Sequence, residues 1–497
     1  MSPISKGFLM VGMMVSLFLF LVCGSASAGG YGALPKEELK QYVSEIDLEK
    51  FGTPNSFFDA DKMGDMTGWD PSKWENPKGD VIKIAVAWPH SGPGALNGDL
   101  AWACMTFVAY DINQRGGITV DGKKKKIALF KADTMSRPDQ ARTIMEKMIL
   151  QEKIDAAIGT SGSNIQKIIN AAAARHGIIS VNVGALDEEL QHGENFSRYS
   201  FMVADTTEAI GRGMAHYFGK VRQKEKKFYI ICQDYSFGHG MGEGFKKGME
   251  EYYPEGRIVG EDYHPLFATD FAPYITKVIA SGADAIWTGD WLPDAGNLLK
   301  QLRAMRVNVP VANLFVDEPN SLSDIGVEGT RNLFNINHHD ISGPAFKNDK
   351  MIKHHDAWHN NWKTWTTAPY NTPLFKHNGA TIGLWTQGFY WYLNVVERAG
   401  TMDVEKIIET WEGDVYQFVS GRIVKMRACD HMAIQGFRVS EFVPPEEQKV
   451  SMNIEPYCWF DTCCYAGPAW DVPAYAVLPP KCEDRCAGFD GWGDPIK

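Results

Sequence analysis

The sequence predicts an α/β protein of two similar units, each with a mainly parallel β-sheet covered by helices on both faces. Its 497 residues are enough for two to four domains. Its 44% hydrophobic and 22% charged residues are typical of a globular protein. Short apolar segments alternate with helical periodicity from Val81 onward, and this alternation starts again after Asp205. Such βα alternation favours parallel sheets.

The first unit opens with an unbroken apolar segment at 81–87, which is typical of a buried strand. Asp121-Gly122, beside a run of lysines, indicates a solvated hairpin turn, and Gly177 ends a helix. The predicted strands are 81–87, 126–131, 156–159 and 178–183, and the helices among them include 139–153 and 164–176.

The second unit repeats this pattern over a similar length. The predicted strands are 227–232, 257–263, 285–288 and 309–314, and the predicted helices are 242–253, 271–281 and 294–305. Sheets of this kind bind ligands outside the carboxyl ends of their strands. The residues directly after each strand are therefore the candidates for a binding site.

Charge and motifs argue against several function classes. Fifty Lys and Arg against 61 Asp and Glu give a net charge of -11, which repels phosphate backbones and argues against a nucleic-acid partner. The glycines from Gly238 to Gly244 lack the spacing of a dinucleotide site, and neither a Gly-x-Ser-x-Gly nor a His-Glu-x-x-His motif occurs. His355 and His359 lie one helical turn apart, but no third metal ligand follows in register. We therefore expect no enzyme activity, no cofactor and no metal.

The first 28 residues indicate export across a membrane. Lys6 precedes an apolar run at 7–22, and small residues at 26–28 suit cleavage by a signal peptidase. This run is short for a hydrocarbon core of ~30 Å, so we favour a cleaved signal peptide at 1–28 over a membrane anchor. We expect the mature protein to be periplasmic. The polar segment 29–79 is interpreted as an N-terminal extension that wraps on the core.

The nine cysteines fit an oxidising compartment. Cys23 lies in the signal segment, and five others lie in the last 40 residues, within the Pro- and Gly-rich segment 451–497. We interpret this segment as a disulfide-stapled tail, with the pairing left open. A structural zinc site is the disfavoured alternative, because the paired C-x-x-C spacing is absent.

Candidate site residues follow the predicted strands. In the first unit, hydroxyls and free amides at a helix start suit a carboxylate, although simple helix capping is the alternative. In the second unit, aromatic rings beside an acidic group can enclose an apolar body or a cation, although packing at the rim is the alternative. The ligand-binding candidates are Trp88, His90, Asn97, Ser161, Ser163, Gly184, Ala185, Tyr235, Phe237, Asp290, Trp291 and Asp317.

Several short segments also occur in a characteristic order. They are Ile84-Ala-Val-Ala87 with Ser91-Gly92-Pro93, the segment from Asp111 to Gly117, Ile158-Gly159 with Ser163, Tyr235-x-Phe237-Gly238, Thr269-Asp270-Phe271 and Gly282-Ala283-Asp284. Together they resemble the periplasmic leucine/isoleucine/valine-binding proteins of ABC importers, over residues 81–443. The resemblance implies the type I periplasmic-binding fold, in which two Rossmann-like lobes, joined by a three-strand hinge, close on a ligand. It implies lobe 1 at 80–204 and 338–420, and lobe 2 at 205–337 and 421–450.

The same resemblance implies how a ligand is held. Ser163 and the backbone of Gly184-Ala185 would bind the ligand carboxylate, and Phe237 and Trp291 would supply aromatic contacts. The expected partners are a small-molecule ligand and the inner-membrane permease of an ABC importer. A sensory subunit that reports ligand occupancy to a membrane partner is the alternative function. An enzyme is a third hypothesis, for which His90, Asp290 and His431 would be the acid–base candidates.

The nature of the ligand depends on one position. In this family a glutamate binds the ammonium group of the ligand, and the corresponding position in this sequence lies near Phe315. A branched-chain or other amino acid therefore requires Asp290, Asp317 or Glu318 in its place, because a buried ammonium without a partner costs several kcal/mol. An amide, or an aliphatic or aromatic acid, is the alternative ligand.

Overall fold

The computed structural model describes residues 44–291, 293–315, 319–337, 349–376, 380–418, 422–442, 458–460, 463–464 and 469–496. The predicted signal peptide, the predicted site residue Asp317, and Glu318 lie outside the described residues. Within these ranges, no helix is both long enough and apolar enough to cross a membrane.

Helices and strands alternate through most of the described chain. The strands are β1 Ser56–Phe57, β2 Val81–Trp88, β3 Ile118–Val120, β4 Lys123–Asp133, β5 Ala156–Gly159, β6 Ile179–Asn182, β7 Ser200–Met202, β8 Lys227–Gln233, β9 Arg257–His264, β10 Ala285–Thr288, β11 Val311–Asn313, β12 Leu333–Asn337, β13 Val415–Gln417, β14 Ile423–Met426, β15 Ala433–Ile434, β16 Phe437–Glu441, β17 Cys458–Phe460, β18 Cys463–Cys464 and β19 Ala469–Val472. The helices are α1 Glu45–Phe51, α2 Ala95–Gln114, α3 Pro138–Lys147, α4 Ser163–His176, α5 Thr207–Tyr217, α6 Ser236–Tyr252, α7 Ala272–Ser281, α8 Asp294–Ala304, α9 Pro319–Gly329, α10 Asp349–Trp362, α11 Ala380–Ala399 and α12 Val404–Trp411.

The first sheet has the strand order β3-β4-β2-β5-β6-β7. Its strands are parallel except for the β3–β4 hairpin. Asp121 and Gly122 form the turn of this hairpin with φ angles of 50° and 73°, as the Asp-Gly pair predicts. One face of β2 packs on α2, and the other face packs on α3 and α4. The carboxyl end of β2 therefore lies at the middle of a covered sheet.

The second sheet has the strand order β19-β16-β12-β11-β10-β8-β9. The strands from β12 to β9 are parallel, and β16 and β19 join them in antiparallel orientation. The two helix-covered sheets confirm the predicted two-unit α/β fold. A further sheet, β1-β13-β14-β15, combines a strand from the N-terminal segment with three strands from after residue 410.

Helix α6 begins at Ser236, six residues before the predicted start at residue 242. The glycines of this segment lower helix propensity, which favours a loop when the sequence is considered alone. In the fold they allow close packing against α5, since a Cβ added at Gly244 would lie 2.6 Å from the Glu208 Cα atom. Tertiary packing therefore decides where this helix starts.

The segment before β2 packs on the first unit. Its β1 strand pairs in parallel with β13. Trp69 is 1% exposed, and its ring centroid lies 4.8 to 4.9 Å from those of Phe107, Trp358 and Trp365. From residue 44 onward, this segment contributes one strand to a sheet and several side chains to the core.

Arg427, directly after β14, binds the C-terminal segment. Its fully buried guanidinium pairs with Asp430 at 2.8 Å. It also donates to the carbonyls of Pro479, Pro480 and Gly491 at 2.8 to 2.9 Å. Because guanidinium offers donors in a fixed fork, this one side chain satisfies several buried carbonyls at once.

A disulfide joins Cys429 to Cys486. The predicted disulfide bonding of the tail is thus found for one of its cysteines, Cys486. The partner, Cys429, lies before the segment 451–497. Cys482 is buried and carries a free thiol. Within the described residues, the one group with metal-ligand spacing is Cys429, Asp430 and Cys486. Its two sulfurs are already bonded to each other, so they offer no thiolates.

Candidate ligand-binding site

Buried polar atoms without a protein partner lie at the carboxyl ends of β2 and β5. Trp88 ends β2 and is fully buried, and its indole Nε1 has no hydrogen-bond partner. Thr160 follows β5, is 1% exposed, and has an Oγ1 atom without a partner. Buried polar groups are nearly always paired in native proteins. These two atoms are therefore candidates for a hydrogen bond to a ligand.

The N-terminus of α4 lies next to them. Gly162 precedes this helix without a side-chain hydrogen bond, and within the described residues the amides of Ser163 and Asn164 stay available, whereas the Ile165 N–H donates to Asn164 Oδ1. Ser161 is half-buried and Ser163 is 4% exposed. Within the described part of the chain, neither hydroxyl has a hydrogen-bond partner. Two free hydroxyls at the positive end of a helix suit an anionic group such as a carboxylate.

The loop after β6 uses its amides internally. The N–H groups of Gly184 and Ala185 both donate to Asn182 Oδ1, at 3.2 and 2.9 Å, and Asn182 Nδ2 donates to the Ala185 carbonyl at 2.8 Å. The resemblance implies that this backbone binds the ligand carboxylate, and in this structure that would require the Asn182 bonds to break. The assignment stays a prediction.

His90 and Asn97 flank the same strand ends. His90 Nε2 lies 3.0 Å from the Val86 carbonyl, and burial lowers the pKa of this histidine to about 4. The ring is therefore neutral at physiological pH. Asn97 lies in the first turn of α2, is half-buried, and has no side-chain hydrogen bond within the described residues. Its amide is available to a ligand.

Aromatic rings meet at the carboxyl ends of β8 and β10. Trp291 Nε1 donates to the Tyr235 hydroxyl at 2.8 Å, and the Phe237 ring lies 5.6 Å from the Tyr235 ring. Phe267, after β9, is 38% exposed, and its ring lies edge-on to Trp291 at 5.9 Å. Burial raises the pKa of Tyr235, and the carboxylate of Asp187 adds to the rise. This hydroxyl therefore stays protonated beside an aromatic wall.

Asp290 lies behind this wall. It is fully buried, and its Oδ2 lies 2.8 Å from His264 Nε2. Burial raises the pKa of Asp290 to about 6. Phe315, at the position expected for the family's glutamate, is half-buried. One oxygen of this acid is therefore paired with a histidine, and the other, Oδ1, is buried without a hydrogen-bond partner.

The strand-end loop of the first sheet reaches the second unit. Thr207, at the start of α5, donates its N–H to the Leu186 carbonyl at 2.9 Å and its hydroxyl to Glu188 Oε2 at 2.6 Å. The carboxylate of Asp187, between Leu186 and Glu188 in the sequence, contributes to the raised pKa of Tyr235 in the second unit. The loop after β6 therefore contacts the start of α5 in the second unit.

Comparison with known proteins decides the family. A family model described as periplasmic binding protein matches residues 81–447. The chain belongs to this periplasmic binding protein family. An amino acid binding protein from Pseudomonas aeruginosa is 30% identical to this periplasmic binding protein over 229 residues, which are 45% of this chain and 57% of the relative. The match thus spans just over half of the relative's length.

Solved structures share the fold of this periplasmic binding protein. The leucine-, isoleucine-, valine-, threonine- and alanine-binding protein from Brucella ovis superposes with a TM-score of 0.65 and 19% identity, covering 81% of this chain and 97% of its own. An ABC transporter solute-binding protein from R. palustris, in complex with 4-hydroxybenzoate, has a TM-score of 0.63 and 20% identity, covering 80% and 100%. At these identities the likeness establishes the fold.

The predicted site residues do not include three residues of this region: Thr160, Phe267 and Trp385. Thr160 belongs to the helix start whose hydroxyls were expected to suit a carboxylate, so its position directly after a predicted strand was a usable signal. Phe267 has a φ of 63°, which is unusual for a bulky residue and is not visible in a sequence. Trp385 lies in α11, among other apolar aromatic residues, and no local pattern separates it from core residues.

Proposed function

We propose that this periplasmic binding protein is the solute-binding subunit of an ABC importer. It binds a small carboxylate ligand between its two units and delivers it to an inner-membrane permease. The proposed lobes are those of the family, 80–204 with 338–420 and 205–337 with 421–450, and the proposed signal peptide directs the protein to the periplasm.

The observation that carries this proposal is the pair of free hydroxyls at Ser161 and Ser163, at an uncapped helix N-terminus. The aromatic wall of Tyr235 and Trp291 lies on the second unit. One end thus suits a carboxylate and the other an apolar body. The relatives support this chemistry, since one is named for amino acids and another is in complex with 4-hydroxybenzoate.

The geometry favours a ligand without an ammonium group. Asp290 is fully buried and bonded to His264, and an apolar side chain, Phe315, follows the next strand. An amino acid would have to reach Asp290 Oδ1, a buried oxygen without a hydrogen-bond partner, or leave its ammonium unpaired, which is costly in a closed site. A simple aliphatic or aromatic acid has neither requirement.

Thermal unfolding against matched ligands tests the proposal. The panel contains leucine, 4-methylpentanoate (leucine without its ammonium), benzoate and 4-hydroxybenzoate. A ligand at about 100 times its Kd should add about 2.7 kcal/mol to the free energy of unfolding. We expect 4-methylpentanoate or a benzoate to stabilise more than leucine. No stabilisation by any carboxylate would contradict the proposal.

Serine variants locate the site. Ser161→Ala and Ser163→Ala each remove a free hydroxyl, so they should weaken binding about tenfold with little change in unliganded stability. Ser281→Ala is the matched control, because α7 ends there, away from the strand carboxyl ends. Equal affinities of all three variants would place the ligand elsewhere.

A further inference from the structure

One face of α8 fixes the loop at 265–271, which follows β9. Asn297 and Gln301 each donate a side-chain amide N–H to a carbonyl of this loop, at 3.3 and 3.0 Å. Asp294 accepts the backbone N–H of Phe267 at 2.9 Å. These three side chains are three and four positions apart, so they lie on the same face of the helix. The backbone of the loop is therefore held against α8.

Phe267 has an unusual backbone conformation within this loop. Its φ angle of 63° lies in the left-handed region, which is unfavourable for a bulky side chain and is found most often at functional sites. Asp294 is fully buried, and the oxygen that accepts the Phe267 N–H also accepts from Gln233 Nε2 at 2.8 Å. Because a buried carboxylate gains from each such bond, the bond to Asp294 helps to hold Phe267 in a conformation that it would otherwise avoid.

The Phe267 ring lies at the exposed edge of the aromatic wall. It is 38% exposed and lies edge-on to Trp291, with the ring centroids 5.9 Å apart. Trp291 and Tyr235 are only half-buried themselves, but Phe267 is the most exposed of the three rings. A large apolar side chain on a fixed loop gains when an apolar group covers it. The ring therefore suits an apolar group that extends beyond Trp291.

We propose that Phe267 selects ligands by the length of their apolar body, favouring carboxylates whose chain or ring reaches past Trp291. Asp294 is the positioning residue, because it holds the Phe267 backbone and is itself buried behind the wall. This inference rests on the proposed function and deepens it, since it names the residue that chooses among carboxylates. A short acid ends at the Trp291 ring, whereas a longer acid covers Phe267 as well.

Isothermal titration calorimetry with straight-chain carboxylates from butanoate to octanoate tests this proposal. Each methylene that the wall buries should tighten binding about fourfold. Phe267→Ala removes the outer ring, so it should weaken octanoate binding about tenfold and leave butanoate binding within about twofold of that of the unmodified protein. Phe267→Leu keeps a large apolar side chain and should recover most of the octanoate affinity.

Two further variants separate the ring from effects on folding. Phe267→Gly also removes the ring, but glycine adopts a positive φ without strain, so this variant should be at least as stable as Phe267→Ala. The same loss of octanoate affinity in both variants would exclude a folding defect as its cause. Ile279→Ala is the matched control, because it truncates an apolar side chain on α7 that is 55% exposed, and it should change neither affinity.

A double-mutant cycle tests the role of Asp294. Asp294→Asn weakens the acceptor of the Phe267 N–H, so it should lower octanoate affinity several-fold and leave butanoate affinity nearly unchanged. In the Phe267→Gly background the same substitution should have no further effect, because the two residues act as one unit. An equal loss of octanoate affinity in both backgrounds would show that Asp294 does not act through Phe267.

The outcomes separate this inference from the proposed function. If carboxylates bind the unmodified protein without a rise in affinity with chain length, selection by length is wrong and the proposed function stands. The same holds if Phe267→Ala weakens butanoate and octanoate equally, or weakens neither. If no carboxylate binds the unmodified protein, the proposed function fails and selection by Phe267 fails with it.

Discussion

Trp291 donates its indole N–H to the hydroxyl of Tyr235 at a distance of 2.8 Å. This bond uses the only donor of the indole, so Trp291 presents its ring and not its N–H to a ligand. Phe267 lies edge-on to the same ring. The second unit therefore offers an aromatic wall in which the Tyr235 O–H is still able to donate.

Tyr235→Phe tests this wall. The variant loses one hydrogen bond, so the free energy of unfolding should fall by about 1 kcal/mol. Ligand affinity should fall several-fold, because the Trp291 ring is no longer held in place. Calorimetry with the best carboxylate of the panel measures both effects. Tyr475→Phe, on an exposed tyrosine, is the control and should change neither.

Titration of His264 and Asp290 makes stability depend on pH. Burial lowers the pKa of His264, but its hydrogen bond to Asp290 and the charge of Asp290 outweigh burial and raise it. Burial raises the pKa of Asp290 to about 6. Both groups hold protons more tightly when folded, so their contribution to the free energy of unfolding is largest at low pH. The contribution of Asp290 falls as the pH rises from about 4 to about 6. The contribution of His264 falls as the pH rises through the pKa of this histidine in the folded protein, which lies above 6.5.

Urea unfolding from pH 4 to pH 8 measures this dependence. Asp290→Asn should remove or reverse this fall in stability, because without the carboxylate burial lowers the pKa of His264. His239→Gln is the control, since His239 pairs with Asp234 on the surface, where water screens the charges. An unchanged slope in Asp290→Asn would show that this pair does not titrate as the geometry implies.

The Cys429–Cys486 disulfide should contribute strongly to stability. The two residues are 57 apart in sequence, and closing a loop of that length in the unfolded chain corresponds to about 4 kcal/mol. We expect the double variant Cys429→Ala/Cys486→Ala to have a markedly lower melting temperature. A reductant should lower the melting temperature of the unmodified protein and leave that of the double variant unchanged. Equal stability of the two oxidised proteins would refute the prediction.

Trp69 anchors the N-terminal segment. Trp69→Ala removes a ring packed on Phe107, Trp358 and Trp365, so it should lower the free energy of unfolding by about 3 to 5 kcal/mol. Trp74→Ala, at a half-buried tryptophan nearby, is the control and should have a much smaller effect. Denaturant unfolding measures both. Similar losses would mean that the segment is not held at Trp69.

Local patterns were sufficient to predict the alternating strands and helices. The apolar run of β2 and the glycine after α4 are signals contained within a few residues, and they predicted strand and helix limits to within a few positions. The position of Ser163 at a helix start and of Trp291 after a strand followed from the same local rules. Both residues lie at the carboxyl ends of the strands, where we expect a ligand to bind.

The amino-acid sequence by itself determined the fold class, the family and the edge of each sheet at which we expect a ligand, because hydrophobic periodicity and turn residues act over short distances. Only the tertiary structure decided which polar atoms are free. Asp290 is paired by His264, and Trp385 meets Trp88 across Gly184. These contacts join residues far apart in sequence, and the availability of a donor depends on whether such a distant partner satisfies it.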